Sequence, residues 1–237
     1  MGRGRSGKKK GGGGFRQLTD SEEQKYYSGQ TITAAQQAAF DKYTDPNTEP
    51  GSLYNFSQNM NMAVAQGQPL TPEQQQVWDE ISGSMHDLGQ DMQLTRYDHA
   101  DTVDQMLRGL GVRGSAEYMT ADELKGYLVG AEYEDKRILS TSVNGFANAS
   151  DPSTFTTRQF KFTYEAESNV QGVMPGRGNI GFGGYGKGDD FGEMLLGGSS
   201  KYTVKDVRYS GAKARSKGMP KSYLTEDQIE IVVGVRK

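Results

Sequence analysis

Up to Gln90 apolar positions recur at helical spacing; beyond it they alternate or run on continuously. Thr33 to Phe40 is rich in Ala and Gln, which favours helix. That helix is expected to end near Tyr43, since Asp45 precedes Pro46 and a residue before proline avoids the α region. Leu53, Phe56, Met60 and Val64 fall at steps of three and four and predict a helix over 53–65. Thr71-Pro72-Glu73-Gln74 combines an N-cap, a proline at the first helical position and a capping-box glutamine. Val77, Trp78, Ile81, Met85 and Leu88 extend that helix as an apolar stripe to Gly89, read as its stop.

After Gln90 a strand is predicted over 92–97, a helix over 102–110, and a further helix from the capping box Thr120-Ala121-Asp122-Glu123 to about Val129. Strands are predicted over 137–142, 159–164, 170–174, 193–196, 202–209 and 228–235. In the second of these, Phe160, Phe162 and Tyr164 alternate with Lys161 and Thr163. Helices first and then strands indicate an α+β chain rather than alternating βαβ units.

Composition narrows the chemistry. The chain has 237 residues, 34% of them hydrophobic and 24% charged, with 32 Gly and no Cys. The lack of Cys excludes disulfides, thiolate metal sites and a Cys nucleophile. Two His, His86 and His99, are too few for a His-rich metal site, so no metal is expected. No apolar run approaches the ~18 residues of a membrane span. No apolar stretch follows the basic N-terminus, so no secretory signal is expected. Arg3, Arg5, Lys8, Lys9, Lys10 and Arg16 give the first sixteen residues a charge of +6, which leaves −9 on the rest. Residues 1–16 are read as a disordered basic tail able to make weak, salt-sensitive contact with nucleic acid. Residues 17–90 are read as a helical region packed on a β-rich core over 91–237, the whole forming one domain. The acidic body argues against nucleic-acid binding as the main role.

Two patterns are set aside. Residues 176–181 and 181–186 both match GxGxxG, but 11 of the 27 residues from 172 to 198 are Gly. No helix is predicted to open there, as a dinucleotide fingerprint requires. The segment reads instead as a long functional loop. His99 follows Arg96-Tyr97-Asp98 without the partners of a metal site.

Three pieces remain. Leu94-Thr95-Arg96-Tyr97 puts a guanidinium inside a strand, where its planar fork suits a phosphate. Ile138-Leu139-Ser140-Thr141-Ser142 ends an apolar strand in three hydroxyls, with Ser140 and Ser142 on one face. Phe191-Gly192-Glu193-Met194-Leu195-Leu196 sets a carboxylate where the glycine-rich loop enters a strand. Their order and separations, 44 positions and then 53, resemble the Arg–Ser–Glu class of mono-ADP-ribosyltransferases. That group contains the clostridial exoenzymes and related bacterial toxins and phage enzymes. Asp135 to Ser142, Glu193 to Leu196 and Lys201 to Val207 also look like the family's strands, and the resemblance covers about 30–237.

The resemblance implies a two-sheet β core with N-terminal helices and a cleft for NAD, which is the substrate. Glu193 would stabilise the charge on the ribose as the nicotinamide bond breaks, Ser140 would orient Glu193, and Arg96 would clamp the diphosphate. Tyr97, Thr141 and Ser142 would support the nicotinamide pocket. Phe146 or Phe155 would supply its aromatic wall, and Phe155-Thr156-Thr157-Arg158 resembles the family's Phe-x-x-Arg, which brings in Arg158. The alternative for Arg96 and Glu193 is a core ion pair, and for the two Phe ordinary packing. Phe182, Tyr185, Asp190 and Phe191 would meet the target, a macromolecule and most plainly a host protein, reached in the cytosol after delivery by a virion or secretion machine. The chain is expected to act as a monomer.

Two departures from the family stand out. Phe191 takes the place of the Glu or Gln two positions before the catalytic Glu, and Tyr97 that of the common Gly after the strand Arg. Three readings follow: a target side chain other than arginine, substitution by Asp190 or Asp189, or hydrolysis of NAD. A silent binding or virion module on the same fold is the rival from outside enzymology.

Overall fold

The computed structural model describes residues 14–45, 47–146, 153–175, 192–198, 200–215, 220 and 224–237. Four helices lead: α1 (Asp20–Ser28), α2 (Ala34–Tyr43), α3 (Phe56–Ala65) and α4 (Pro72–Ser84). Thr33 and Thr71 cap α2 and α4 by accepting from the backbone N–H of Gln36 and Gln74, each at 3.2 Å. The two glutamine side chains accept in return from the cap N–H groups, and such a cap is worth ~1 kcal/mol.

The structure corrects two helix limits. Leu53 is 89% exposed and lies outside α3. The helix starts later because Asn55 and Gln58 form a capping box of their own. Likewise α4 ends at Ser84, and β1 (His86–Asp87) leaves it to pair with β6 (Gln171–Val173). Leu88 therefore enters the core beside a strand, its N–H bonded to Val170 C=O at 2.9 Å. Gly89, at φ +75°, makes the turn that follows.

The remaining elements are β2 (Met92–Asp98), α5 (Ala100–Gly109), a 3-10 turn (Ala116–Tyr118), α6 (Ala121–Leu128), β3 (Glu132–Glu134), β4 (Leu139–Ser142), α7 (Ser153–Thr156), β5 (Phe160–Ala166), β7 (Glu193–Leu196), β8 (Lys201–Ala214) and β9 (Glu226–Arg236). The order across the sheet is β1-β6-β7-β4-β2-β5-β9-β8-β3, with β5 and β9 parallel and the other pairs antiparallel. Instead of the two sheets expected, the nine strands hydrogen-bond as one continuous sheet, in which two groups of strands are joined at β2 and β4. These two pair at one position, Thr95 opposite Ser142.

β9 has neighbours on both edges, and its residues 228–235 are buried without alternation: 231–235 carry no polar side chain, and the buried Gln228 and Glu230 are hydrogen-bonded. β5 keeps its alternation. Phe160 and Phe162 are fully buried, while Lys161 and Thr163 on the other face bond Glu230 at 2.7 and 2.6 Å. Val103 and Leu107 of α5 and Leu124 and Leu128 of α6 pack on the larger group of strands. Phe40, Tyr43, Phe56, Met60, Val77 and Ile81 of α2–α4 form a second cluster with Ile138, Val173 and Leu195.

That second cluster holds the lead into the Ser-Thr-Ser strand. Tyr43 OH donates to Ile138 C=O at 3.1 Å, Asn61 Nδ2 to the same oxygen at 3.3 Å, and Asn61 Oδ1 accepts from Ile138 N–H at 3.3 Å. No helix among the described residues is long and apolar enough to cross a membrane.

Candidate active site

β4 lies between β2 and β7, so the hydroxyl strand has the arginine strand on one side and the glutamate strand on the other. Ser142 pairs with Glu193 and Ser140 with Leu195. From this register Ser140 Oγ donates to Glu193 Oε1. Thr141, on the opposite face, donates to Met194 C=O at 2.9 Å and ties the two strands together. Ser142 Oγ donates to Asn144 Oδ1 and accepts from the N–H of Phe146, both at 3.0 Å.

Glu193 is 6% exposed, and its Oε2 has no hydrogen-bond partner among the described residues. Burial pushes its carboxyl up to about 7, against the lowering effects of the Ser140 hydrogen bond and the Arg96 charge. A buried carboxylate with one oxygen oriented and the other without a hydrogen bond can stabilise a cation, or accept a proton, near neutral pH.

Arg96 donates through Nε and Nη2 to Asp98 at 2.6 and 3.1 Å, and through Nη1 to Ser140 C=O at 3.0 Å. Burial works against its charge, but Asp98 holds the guanidinium above its ordinary value. The carboxylate that pairs with Arg96 is thus Asp98, which removes the reading of Arg96 and Glu193 as a core ion pair. Arg158 Nη1 donates to Tyr97 C=O at 2.8 Å, and the Tyr97 ring stands 5.7 Å from that of Phe146. Arg96, Ser140 and Glu193 therefore lie together, with Tyr97, Ser142 and Arg158 alongside, while Thr141 faces the other side of the strand. The side chain of Phe155 lies outside the described residues, as do Phe182, Tyr185, Asp189, Asp190 and Phe191.

A cleft of about 1080 Å³ opens on the Arg96 side, lined in part by Asn61, Arg96, Asp98, Tyr133, Arg137 and Tyr164. That is just above the ~300–1,000 Å³ usual for small-molecule sites. Arg137 is held by Asp135 through Nη2 at 2.7 Å and Nε at 2.9 Å, and the pairing raises its guanidinium above the ordinary value. The cleft thus has two guanidiniums, each preset by a carboxylate two positions away in sequence. The i, i+2 spacing of both pairs is a signal the sequence carries, and it could have found Arg137. Asn61 and Tyr43 could not be found that way, since they reach the site from helices far off in sequence.

The fold has solved counterparts. The C3 exoenzyme of Clostridium limosum superposes with a TM-score of 0.64 at 15% identity, over 94% of this chain and 98% of that one. Plx2a, an ADP-ribosyltransferase toxin from Paenibacillus larvae, gives 0.63 at 13% identity over 92% of each chain. C3stau2 from S. aureus, solved with NAD, gives 0.60 at 16% identity over 94% of this chain and 99% of that one. The chain has the ADP-ribosyltransferase fold of the C3-like exoenzymes. No protein-family model matches the sequence, and no curated protein does. The α+β architecture expected from the residues is the one observed. At these identities the likeness speaks for the fold of this ADP-ribosyltransferase-like chain, while the case for its chemistry rests on its own side chains.

Proposed function

We propose that this chain is an NAD-dependent mono-ADP-ribosyltransferase. The observation that carries the reading is the buried Ser140–Glu193 hydrogen bond, with Glu193 Oε2 buried and without a hydrogen bond among the described residues. The nicotinamide–ribose bond breaks with its electron pair leaving on the pyridine nitrogen, which neutralises the pyridinium. Positive charge then develops on the ribose C1′, as in glycoside hydrolysis. Glu193 faces that charge as a carboxylate, and Ser140 keeps it oriented so that little reorganisation is needed. A nucleophile of the target bonds to C1′ and passes its proton to solvent water, leaving ADP-ribose attached.

Arg96 and Arg137 take the diphosphate in the cleft, where planar forks suit phosphate oxygens. Tyr97, Arg158 and Ser142 shape the nicotinamide end, Thr141 braces their strand from its other face, and Phe146 or Phe155 supplies the aromatic wall. Phe182, Tyr185, Asp190 and Phe191 contact the target, a host protein in the cytosol of the receiving cell. Hydrolysis of NAD by water is the second reading, favoured by Phe191 standing where the family carries Glu or Gln.

The test is NAD labelled on its adenylate phosphate, incubated with the protein and a cell lysate beside a Glu193→Gln control. A labelled macromolecule, absent with the control, supports transfer. Nicotinamide release without label points to the hydrolase. Neither product would move the reading to a silent binding module.

A further inference from the structure

Behind Glu193, three separate stretches of chain meet at one buried amide. Asn144 follows the Ser-Thr-Ser strand and is 7% exposed. Its Oδ1 accepts from Ser142 Oγ and from the N–H of Phe146, both at 3.0 Å. With Oδ1 so engaged, the amide has one orientation, and Nδ2 donates to Glu23 Oε2 at 3.1 Å. Glu23 sits on α1 and is fully buried, a rare place for a carboxylate that is not built into a network.

The residues before α1 form a strap across the join of the two groups of strands. Arg16 C=O accepts from Gln93 N–H at 2.9 Å, Gln17 Nε2 donates to Thr95 Oγ1 at 3.1 Å, and Leu18 N–H donates to Val143 C=O at 3.0 Å. On its other side the Asn144 amide packs against Gly192. A Cβ there would lie 2.8 Å from Nδ2, and Gly192 has φ +55°. Val143 N–H holds Gly192 C=O at 2.8 Å, and Glu193 is the next residue. Phe146, pinned through its N–H, is held at φ +68°, a costly conformation for a residue with a side chain.

We propose that Asn144 and Glu23 are positioning residues. The buried Glu23–Asn144 pair locks both rims of the site, the Ser142–Phe146 turn and the Gly192–Glu193 step, and makes α1 and its strap part of the active site. This rests on the NAD-cleaving role of Glu193 given above. The pair touches no substrate, so its effect falls on turnover more than on NAD binding.

The polarity of the pair can be reversed. Asn144→Asp sets two buried carboxylates face to face; they cannot both stay ionised at that distance, so the pair holds only by taking up a proton, which costs more as pH rises to about 8 and beyond, where the measurements are made. The double variant Glu23→Gln with Asn144→Asp restores one donor and one acceptor, the amide now coming from α1 and the carboxylate from the turn. The measurements are kcat and KM for nicotinamide release, the thermal midpoint, and the NMR titration of the Glu193 carboxyl.

Asn144→Asp is expected to lower kcat roughly 10-fold with KM for NAD little changed, and to move the Glu193 titration; the double variant should recover both. Should Asn144→Asp fail to fold, Glu23→Leu against Glu23→Gln makes the same comparison, with loss in the first and retention in the second. A folded Asn144→Asp with wild-type kcat and an unmoved Glu193 titration overturns the proposal, as does a double variant no better than the single. A wild type that releases no nicotinamide, but whose Glu193 titration moves and returns across the series, upholds the positioning and removes the enzymatic reading instead.

Discussion

Glu193 is costly to the fold as an anion, and Ser140 offsets part of that cost with a hydrogen bond to Oε1. Ser140→Ala leaves Oε1 buried and without that donor, so the carboxyl should titrate above about 7 and the acid limb of the rate profile should move to higher pH. Nicotinamide release at neutral pH is expected to fall ~10-fold or more, measured against the wild type across pH. Arg96 poses a different question, since its fork is already formed by Asp98. Arg96→Lys supplies the charge without the fork, and NAD affinity by calorimetry should weaken roughly 10-fold. Unchanged affinity would remove Arg96 from the diphosphate. Ser140, Arg96 and Glu193 are each legible in the sequence, because each breaks the apolar pattern of its own strand. Asn144 and Glu23 are not, because their meaning is a contact across 121 positions.

At the scale of elements, local chemistry is legible and pairing is not. Capping boxes at Thr33, Thr71 and Thr120 fix helix starts from four consecutive residues. The end of α4 falls short of its expected place because Met85 and Leu88 continue a helical stripe, while sheet pairing at His86 and Asp87 overrides it. β3 leaves no mark in the sequence for a related reason. Three residues carry little pattern, and the strand exists because Tyr202 and its neighbours in β8 offer an edge. The step from the loop into β7 makes a sharp prediction. Gly192→Ala meets both a φ of +55° and the Asn144 amide, so it should destabilise the protein by at least ~1–2 kcal/mol. It should also depress turnover, since Glu193 moves with it. Denaturant unfolding beside nicotinamide release checks both, and a wild-type midpoint would show that this step tolerates a side chain.

Across the whole molecule, the site draws on both clusters of the core. Ile138 and Leu195 belong to the helical cluster, and Leu139 and Met194 to the larger one, so neighbouring residues in β4 and β7 face opposite sides. A carboxyl raised by such burial has a signature in stability. Its pKa goes from 4.5 in the open chain to about 7 in the fold. The stability it contributes is therefore fully present below about 4.5 and is lost as pH rises through about 7. The loss amounts to roughly 3 kcal/mol at alkaline pH. Glu193→Gln removes it, so the variant should melt higher than the wild type at pH above about 7, with the gap closing toward acid. Thermal melts across that range check the sign, and a variant less stable at alkaline pH would contradict the burial account.

The most direct test of the central claim is the rate of nicotinamide release from NAD by the wild type and by Glu193→Gln, both confirmed as folded. The account predicts measurable release by the wild type, rising with pH through about 7, and a loss of at least ~100-fold in the variant at saturating NAD. Equal turnover by the two proteins would contradict it.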